Sequence, residues 1–444
     1  MARHAFSIAP ALAAAIIATG FTGCVTAPDT PPPASNHAEA PSALEYPLSM
    51  DTAVRHALAV EPSIRAARHE VSAAYWDTLQ ASLPANPAVG VSLDSDWSVS
   101  LAGMVSDWMD LGGQRSHRVA AAQSREEHAA LEVMRREAEV VHAVRSAFAE
   151  AVTRRELEAL YTERLELLEQ VLEIERQRLA WGDLSELALI RLEREWVEAR
   201  VAPEDEAMRR RQAEARLNRY LGLPLREPLE LAQPFDMDEA WPAPVEGEDV
   251  DLGMVRRPEL AMLTAKLAEH EAELSLARVA WLPDAEAGPI FEWPRGDGAS
   301  YGGGFVSITL PIFDHGQARR GAAREQMQAL EQTMLAAQAE VLLEVHEALL
   351  RLRHAEDRLT IDWREEHQRA ARQRVVTEQL ADAGAASQVD ALMSRVHELN
   401  ARIALAEARG ELWRARIDLA AAMGNPMAAN PGHATNGTDT HGEA

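Results

Sequence analysis

Apolar positions along this chain follow two different periods, and the changes between them mark its elements. In Asn86–Leu93, Trp97–Asp110, Asp284–Trp293 and Tyr301–Ile312 they alternate, which predicts four β-strands. The last strand is the clearest, with Phe305, Ser307 and Thr309 on one face and Val306, Ile308 and Leu310 on the other. Pro311 then cannot donate to a ladder, and Asp314-His315-Gly316 supplies turn chemistry. Elsewhere the period is helical. Ser49–Leu83 reads as a short lead-in and a second helix, divided at Pro62. Gln114–Trp181 contains no internal proline or glycine, and at ~1.5 Å per residue it would reach on the order of 100 Å. Its Leu157, Leu160, Leu165, Leu168, Val171, Leu172 and Leu179 recur at the spacing of a packed helical seam. Gly182-Asp183 breaks that helix and Leu184–Leu221 returns, with Pro203 expected to kink or unwind it. Gln317–Ala383 and Ser387–Met423 read as a second long helix and its return.

The plan is repeated. Leu83-Pro84 recurs as Leu282-Pro283, Gly113-Gln114 as Gly316-Gln317, Gly182 as Gly384, and Gly222-Leu223-Pro224 as Gly424-Asn425-Pro426. Landmarks of different kinds keep nearly one offset, so the chain is an internal duplication of helix, strand, strand, long helix and return helix. The layout expected from it is a signal peptide over 1–23, a tether over 24–47, a first repeat over 48–222, a connector over 223–250, a second repeat over 251–424 and a polar tail over 425–444.

With LPIFDHGQARR at its strand-to-helix junction, this duplicated unit resembles the TolC-type outer-membrane efflux channel family over about residues 47–427. The resemblance implies a mainly helical fold with a small β part. Each protomer of a homotrimer would give four strands to a shared twelve-stranded barrel and pack its helices into a periplasmic tunnel. It also implies a periplasmic adaptor docked on the helix tips and an inner-membrane pump behind it. The tips here are Gly182, Asp183 and Leu184, and Gly384, Ala385 and Ser387. The junctions are Gly112 and Gly113, and Pro311, Asp314 and Gly316. Family members ring the closed entrance with acids just past the second tip glycine. Asp390 matches the first of two such positions, and Met393 occupies the second. Three copies of Asp390 would form a periplasmic gate favouring cations; the other reading of Asp390 is a solvated residue near a helix N-terminus.

Composition narrows the function further. Lys and Arg number 44 against 70 Asp and Glu, a net charge of −26, which argues against nucleic acid as a partner. Low aromatic content beside abundant Ala, Leu, Glu and Arg favours long helices. Arg3 and His4, the apolar run Ile8–Phe21 and Phe21-Thr22-Gly23-Cys24 form a processing signal. Cys24 is the only cysteine, so no internal disulfide exists. The tetrapeptide resembles a lipobox, with Phe21 in place of the preferred Leu. It implies lipidation of Cys24 and anchorage to outer-membrane lipid; an ordinary signal peptide with an incidental cysteine is the alternative.

Trp97, Trp108, Trp293 and Tyr301 lie near strand ends, where a barrel places interfacial aromatics. Fifteen histidines raise the question of metal or catalysis. There is no His-Glu-x-x-His, no cysteine pair, no Walker loop and no GxSxG elbow. Neither an enzyme nor a cofactor is expected. The reading is a passive outer-membrane exit channel for small molecules or metal ions; the alternative is a periplasmic coiled-coil scaffold or adaptor that forms no pore.

Overall fold

The computed structural model describes residues 44, 46–93, 99–106, 112–232, 257–282, 285–293, 299–308 and 310–424. The signal peptide, Cys24, most of the tether, Trp97, Trp108, the strand links, most of the connector and the polar tail lie outside these residues.

The first repeat comprises α1 (Met50–Val60), α2 (Pro62–Ser82), β1 (Ala88–Leu93), β2 (Val99–Ser106), α3 (Gln114–Trp181) and α4 (Glu186–Leu221). The second comprises α5 (Pro258–Val279), β3 (Ala285–Trp293), β4 (Tyr301–Ile308), α6 (Gln317–Asp357), a π-helical turn at Arg358–Trp363, α7 (Arg364–Asp382) and α8 (Gln388–Ala422). Ser49 caps α1 by accepting from the Thr52 amide at 3.2 Å. Pro62 begins α2, where its missing N–H costs no helical bond. The expected division of this segment at Pro62 is therefore seen.

Three expectations are corrected. Leu310-Pro311-Ile312 does not extend the last strand; the Ile312 amide instead donates to the Leu310 carbonyl at 2.9 Å, closing a three-residue turn around the proline. Pro203 does not unwind α4, which stays one helix through it. Gln317–Ala383 is not one α-helix, because the π-helical turn interrupts it. In that turn Leu359 is buried with the α8 seam and Arg358 Nη1 donates to Glu411 Oε2 of α8 at 2.5 Å.

The sheet order is β1-β2-β3-β4, antiparallel throughout. The β2–β3 ladder joins the two repeats, leaving β1 and β4 as the edges. In the helical layer α3 is central, touching α2, α4, α5 and α8. One core packs α1, α2, α3, α4 and α8 through Leu48, Ile64, Val144, Phe148, Leu217 and Trp413. Leu48 also joins the connector's first residues: its amide donates to the Glu230 carbonyl at 2.7 Å and its carbonyl accepts from the Ala232 amide at 2.9 Å.

Further along α3 and α8, Leu157 and Leu160 meet Leu399 and Ile403, and Leu168 meets Val396. The α3–α8 seam thus joins the repeats, beside the contact of α3 with α5. Gly410 makes its closest approach possible, since a Cβ there would lie 2.5 Å from Thr153 Cγ2.

Candidate functional site

The sheet is built from alternating positions, and its register sorts them by chemistry. Val89 and Val91 stand opposite Gly103 and Leu101; Val99 and Leu101 stand opposite Trp293 and Phe291; Ala287 and Ala285 stand opposite Val306 and Ile308. One face of all four strands is therefore apolar. Val89, Val91, Val306 and Ile308 are more than half exposed, at 65%, 70%, 65% and 54%. The opposite face aligns Ser92, Ser100, Glu292 and Tyr301 in one row and Glu286 with Ser307 in another, with Ala102, Ile290 and Phe305 between them. Tyr301 Oη donates to Glu292 Oε2 across that polar face. A sheet with an uncovered apolar face and a polar back is what a barrel between lipid and an aqueous lumen requires. The strands are short, at six, eight, nine and eight residues.

Both junctions turn on glycines in the left-handed region, Gly113 at φ 66° and Gly316 at φ 79°, each immediately before a long helix. At the second junction Asp314 Oδ1 accepts from the Gly316 amide at 3.0 Å. Gln317 Oε1 accepts from the His315 amide and its Nε2 donates to the Phe313 carbonyl. A Cβ on Gly316 would lie 2.6 Å from the Ala277 carbonyl oxygen, and one on Gly112 would lie 2.6 Å from Leu282 Cδ1. Both glycines thus let the chain pass close to the end of α5. Pro311 sits in the three-residue turn just before this bend.

The two helix tips are also paired. Gly182 (φ 84°) and Gly384 (φ 72°) end α3 and lie just past α7. The Asp183 amide donates to the Arg178 carbonyl and the Ala385 amide to the Leu380 carbonyl, closing the last turn in the same way at each tip. Leu184 links this turn to Ser185, which caps α4 by accepting from the Ala188 amide at 3.3 Å. Ser387 caps α8 more completely. Its Oγ accepts from the Asp390 amide at 3.1 Å, while Asp390 Oδ2 accepts from the Ser387 amide at 3.0 Å and from its hydroxyl at 2.7 Å. These bonds, the Ser387 hydroxyl first, hold the Asp390 carboxyl below the usual aspartate range, helped by the more distant Arg178. The capping box is legible in the sequence as Ser387-x-x-Asp390.

Below the second tip, Glu378 accepts from Arg395 at 2.7 Å and ion-pairs with Arg374 at 3.2 Å, and Arg374 also reaches Glu398 at 2.6 Å. Between α3 and α8 a cleft of about 620 Å³ is lined by Glu166, Glu169, Glu173, Gln388 and Leu392 among others.

Sequence reasoning missed the edges of the helical layer. On α4, Leu187, Ile190, Val197, Val201 and Met208 are more than half exposed. They recur at intervals of three, seven, four and seven residues, a heptad seam without a partner in the described protomer. On the other edge, α6 exposes Leu335, Leu343 and Leu350, and α7 exposes Val375 and Val376. The heptad spacing was available in advance; which of several apolar stripes would be left uncovered was not. Among the described residues no helix is long and apolar enough to cross a membrane, and no group of three or more His, Cys, Asp or Glu could hold a metal ion.

Comparison with known proteins agrees with this geometry. Residues 251–425 match the outer membrane efflux protein family. No curated protein sequence matches. Among solved structures, CusC, described in connection with transmembrane channel formation, superposes with a TM-score of 0.69 at 17% identity, covering 90% of this chain and 99% of its own. The Campylobacter jejuni CmeC outer membrane channel gives 0.69 at 15% identity over 85% and 86%. The outer membrane protein VceC from Vibrio cholerae gives 0.66 at 15% over 84% and 96%. The chain therefore has the fold of these outer-membrane channels, and its second repeat carries the pattern of the outer membrane efflux proteins, which bears out the resemblance read from the sequence.

Proposed function

We propose that three copies of this chain form an outer-membrane exit channel for efflux, a passive conduit for small molecules or metal ions. The observation that carries the reading is the four-stranded sheet, with an uncovered apolar face, a back that carries polar rows at both ends and two unpaired edge strands, set on a layer of very long helices. Edge strands β1 and β4 would pair with neighbouring subunits and so remove the open edges. The exposed seam of α4 would meet the exposed face of α6 and α7 of the next copy, closing the helical layer into a tunnel. Nothing in this mechanism asks the protein for catalysis, since a conduit only has to exclude lipid and open.

The tips at Gly182–Leu184 and Gly384–Ser387 are the proposed adaptor-docking elements, with an inner-membrane pump supplying the energy. Asp390 is the proposed gate residue. Its carboxylate, kept ionised by Ser387, would contribute one negative charge per subunit around the axis and favour cations. Cys24 is the proposed lipid anchor, tethering the N-terminus to the outer membrane while most of the chain lies in the periplasm. A periplasmic scaffold would have no use for an apolar sheet face, which weighs against that alternative.

The test is single-channel recording of the purified protein in planar bilayers, wild type beside Asp390→Ala. Cation-selective conductance is expected, with selectivity reduced by the substitution. A folded trimer that conducts nothing would falsify the channel reading; a selective pore indifferent to Asp390→Ala would remove only the gate assignment.

A further inference from the structure

The second strand-to-helix junction presents a surface that neither conduction nor adaptor docking uses. Leu310, Ile312 and Phe313 follow β4 and are 66%, 71% and 91% exposed. Trp281, at the end of α5, is 56% exposed, and the contact of Gly316 with Ala277 and Ala280 brings it beside this turn. Around Pro311 the chain leaves the ladder in a three-residue turn, and Leu310 and Ile312 stay exposed on either side of the proline.

Immediately beyond the apolar residues the charge changes sign relative to the chain as a whole. Arg319, Arg320 and Arg324 stand in the first turns of α6, which has no acidic residue in its first turn. The protein carries a net charge of −26. Arginines near a helix N-terminus oppose the helix dipole, so helix stability does not explain them. Arg319 reaches Asp314 Oδ2 at 3.3 Å. Among the described residues Arg320 and Arg324 make no ion pair.

We propose that this apolar turn and arginine cluster form a collar that seats the barrel in the inner leaflet of the outer membrane. The apolar side chains would enter the acyl boundary and the arginines would bind phosphodiester headgroups. Apolar bulk followed within one helical turn by cations matches the cross-section of that leaflet, where hydrocarbon gives way to anionic phosphate. The occupant is therefore lipid. A neighbouring subunit is the other candidate, and its own surface would have to supply acids to match. The proposal rests on the membrane-barrel reading above.

The experiment reconstitutes the full chain in phosphatidylcholine vesicles and measures the affinity of spin-labelled phosphatidylglycerol, relative to spin-labelled phosphatidylcholine, for the protein's boundary layer. Wild type should prefer the anionic lipid. Arg319→Gln, Arg320→Gln and Arg324→Gln combined should lower the preference at least about fivefold, the factor expected for losing even one surface arginine. The corresponding Lys variant should keep it, and inorganic phosphate should not compete. Phe313→Ser should reduce immobilised lipid of both kinds.

A Gln variant that inserts, conducts and retains its preference overturns the collar while leaving the channel standing. Dissociation of that variant into monomers in detergent would assign the arginines to the subunit interface and overturn it as well. Competition by inorganic phosphate would make the cluster a simple anion site. Wild type that enters vesicles of neither lipid overturns the membrane reading, and the collar with it.

Discussion

The two long helices of the duplicated unit begin at matching glycines and end at or near matching tips, yet they are packed differently. α3 runs unbroken for 68 residues with neighbours on both sides, burying Val144, Phe148, Leu157, Leu168 and Leu172 along its length. Its counterpart is split by the π-helical turn, and α7 buries only Ala370. The difference lies in position. The first long helix is completed within one chain, whereas the second lies at the edge of the layer, facing outward with Leu335, Leu343 and Leu350. Duplicated sequence thus produces one helix enclosed by its own chain and one left with an apolar edge, the inequality from which the proposed ring would be built.

The largest effect should come from the edges. Ile190→Glu with Val201→Glu on α4, or Leu343→Glu with Leu350→Glu on α6, should abolish trimers, since each apolar side chain covered stabilises by about 1.5–3 kcal/mol and a charge reverses the sign. Light scattering after size exclusion would report monomers from either pair; a trimer surviving both would mean that these edges do not meet.

Next is the seam between repeats. Gly410→Val should destabilise the protomer by about 1–3 kcal/mol through overpacking against Thr153, and Thr153→Ala should restore part of the loss by making room. Thermal unfolding of the single and double variants measures the coupling, and simple addition of the two effects would argue against direct contact.

The smallest effect separates the tips. Ser387→Ala should loosen the start of α8 by about 1 kcal/mol, whereas Ala188→Asp should add at the first tip the reciprocal cap that only the second now has. Amide exchange at the tips would register both. Because the folded Asp390 pKa is depressed, its contribution is fully present above the ordinary aspartate range and is lost as pH falls through the lowered value. Protection of the tip amides, taken relative to the intrinsic exchange rate at each pH, should therefore fall in acid in wild type and no longer depend on this carboxyl in Asp390→Ala. Identical acid profiles would show that the cap does not form in solution.

Several elements were legible because their signals are local. Gln114–Trp181 was bounded correctly because glycine stops each end and nothing inside interrupts the helical period. The strands were found by alternation, though the first was begun too early at Asn86 and the last run too far through Pro311. Other features left weaker traces. A glycine within a helix costs about 1 kcal/mol and so hinted at close approach at Gly410, but Thr153 as its partner is distant in sequence. The π-helical turn had no trace at all, since Arg358–Trp363 reads as ordinary helix and the burial of Leu359 depends on α8.

By itself, then, the sequence determined the duplicated order of helices and strands, the glycine turns that reverse the chain, and the alternation that makes the sheet amphipathic. These follow from backbone preferences and periodicity, which act within a few residues. Only the tertiary structure decided that β2 pairs with β3 to join the repeats, and that α3 is enclosed while α6 and α7 are left open. Those outcomes depend on which surfaces meet across long stretches of chain, where burial and close packing select among apolar stripes that look alike when read one at a time.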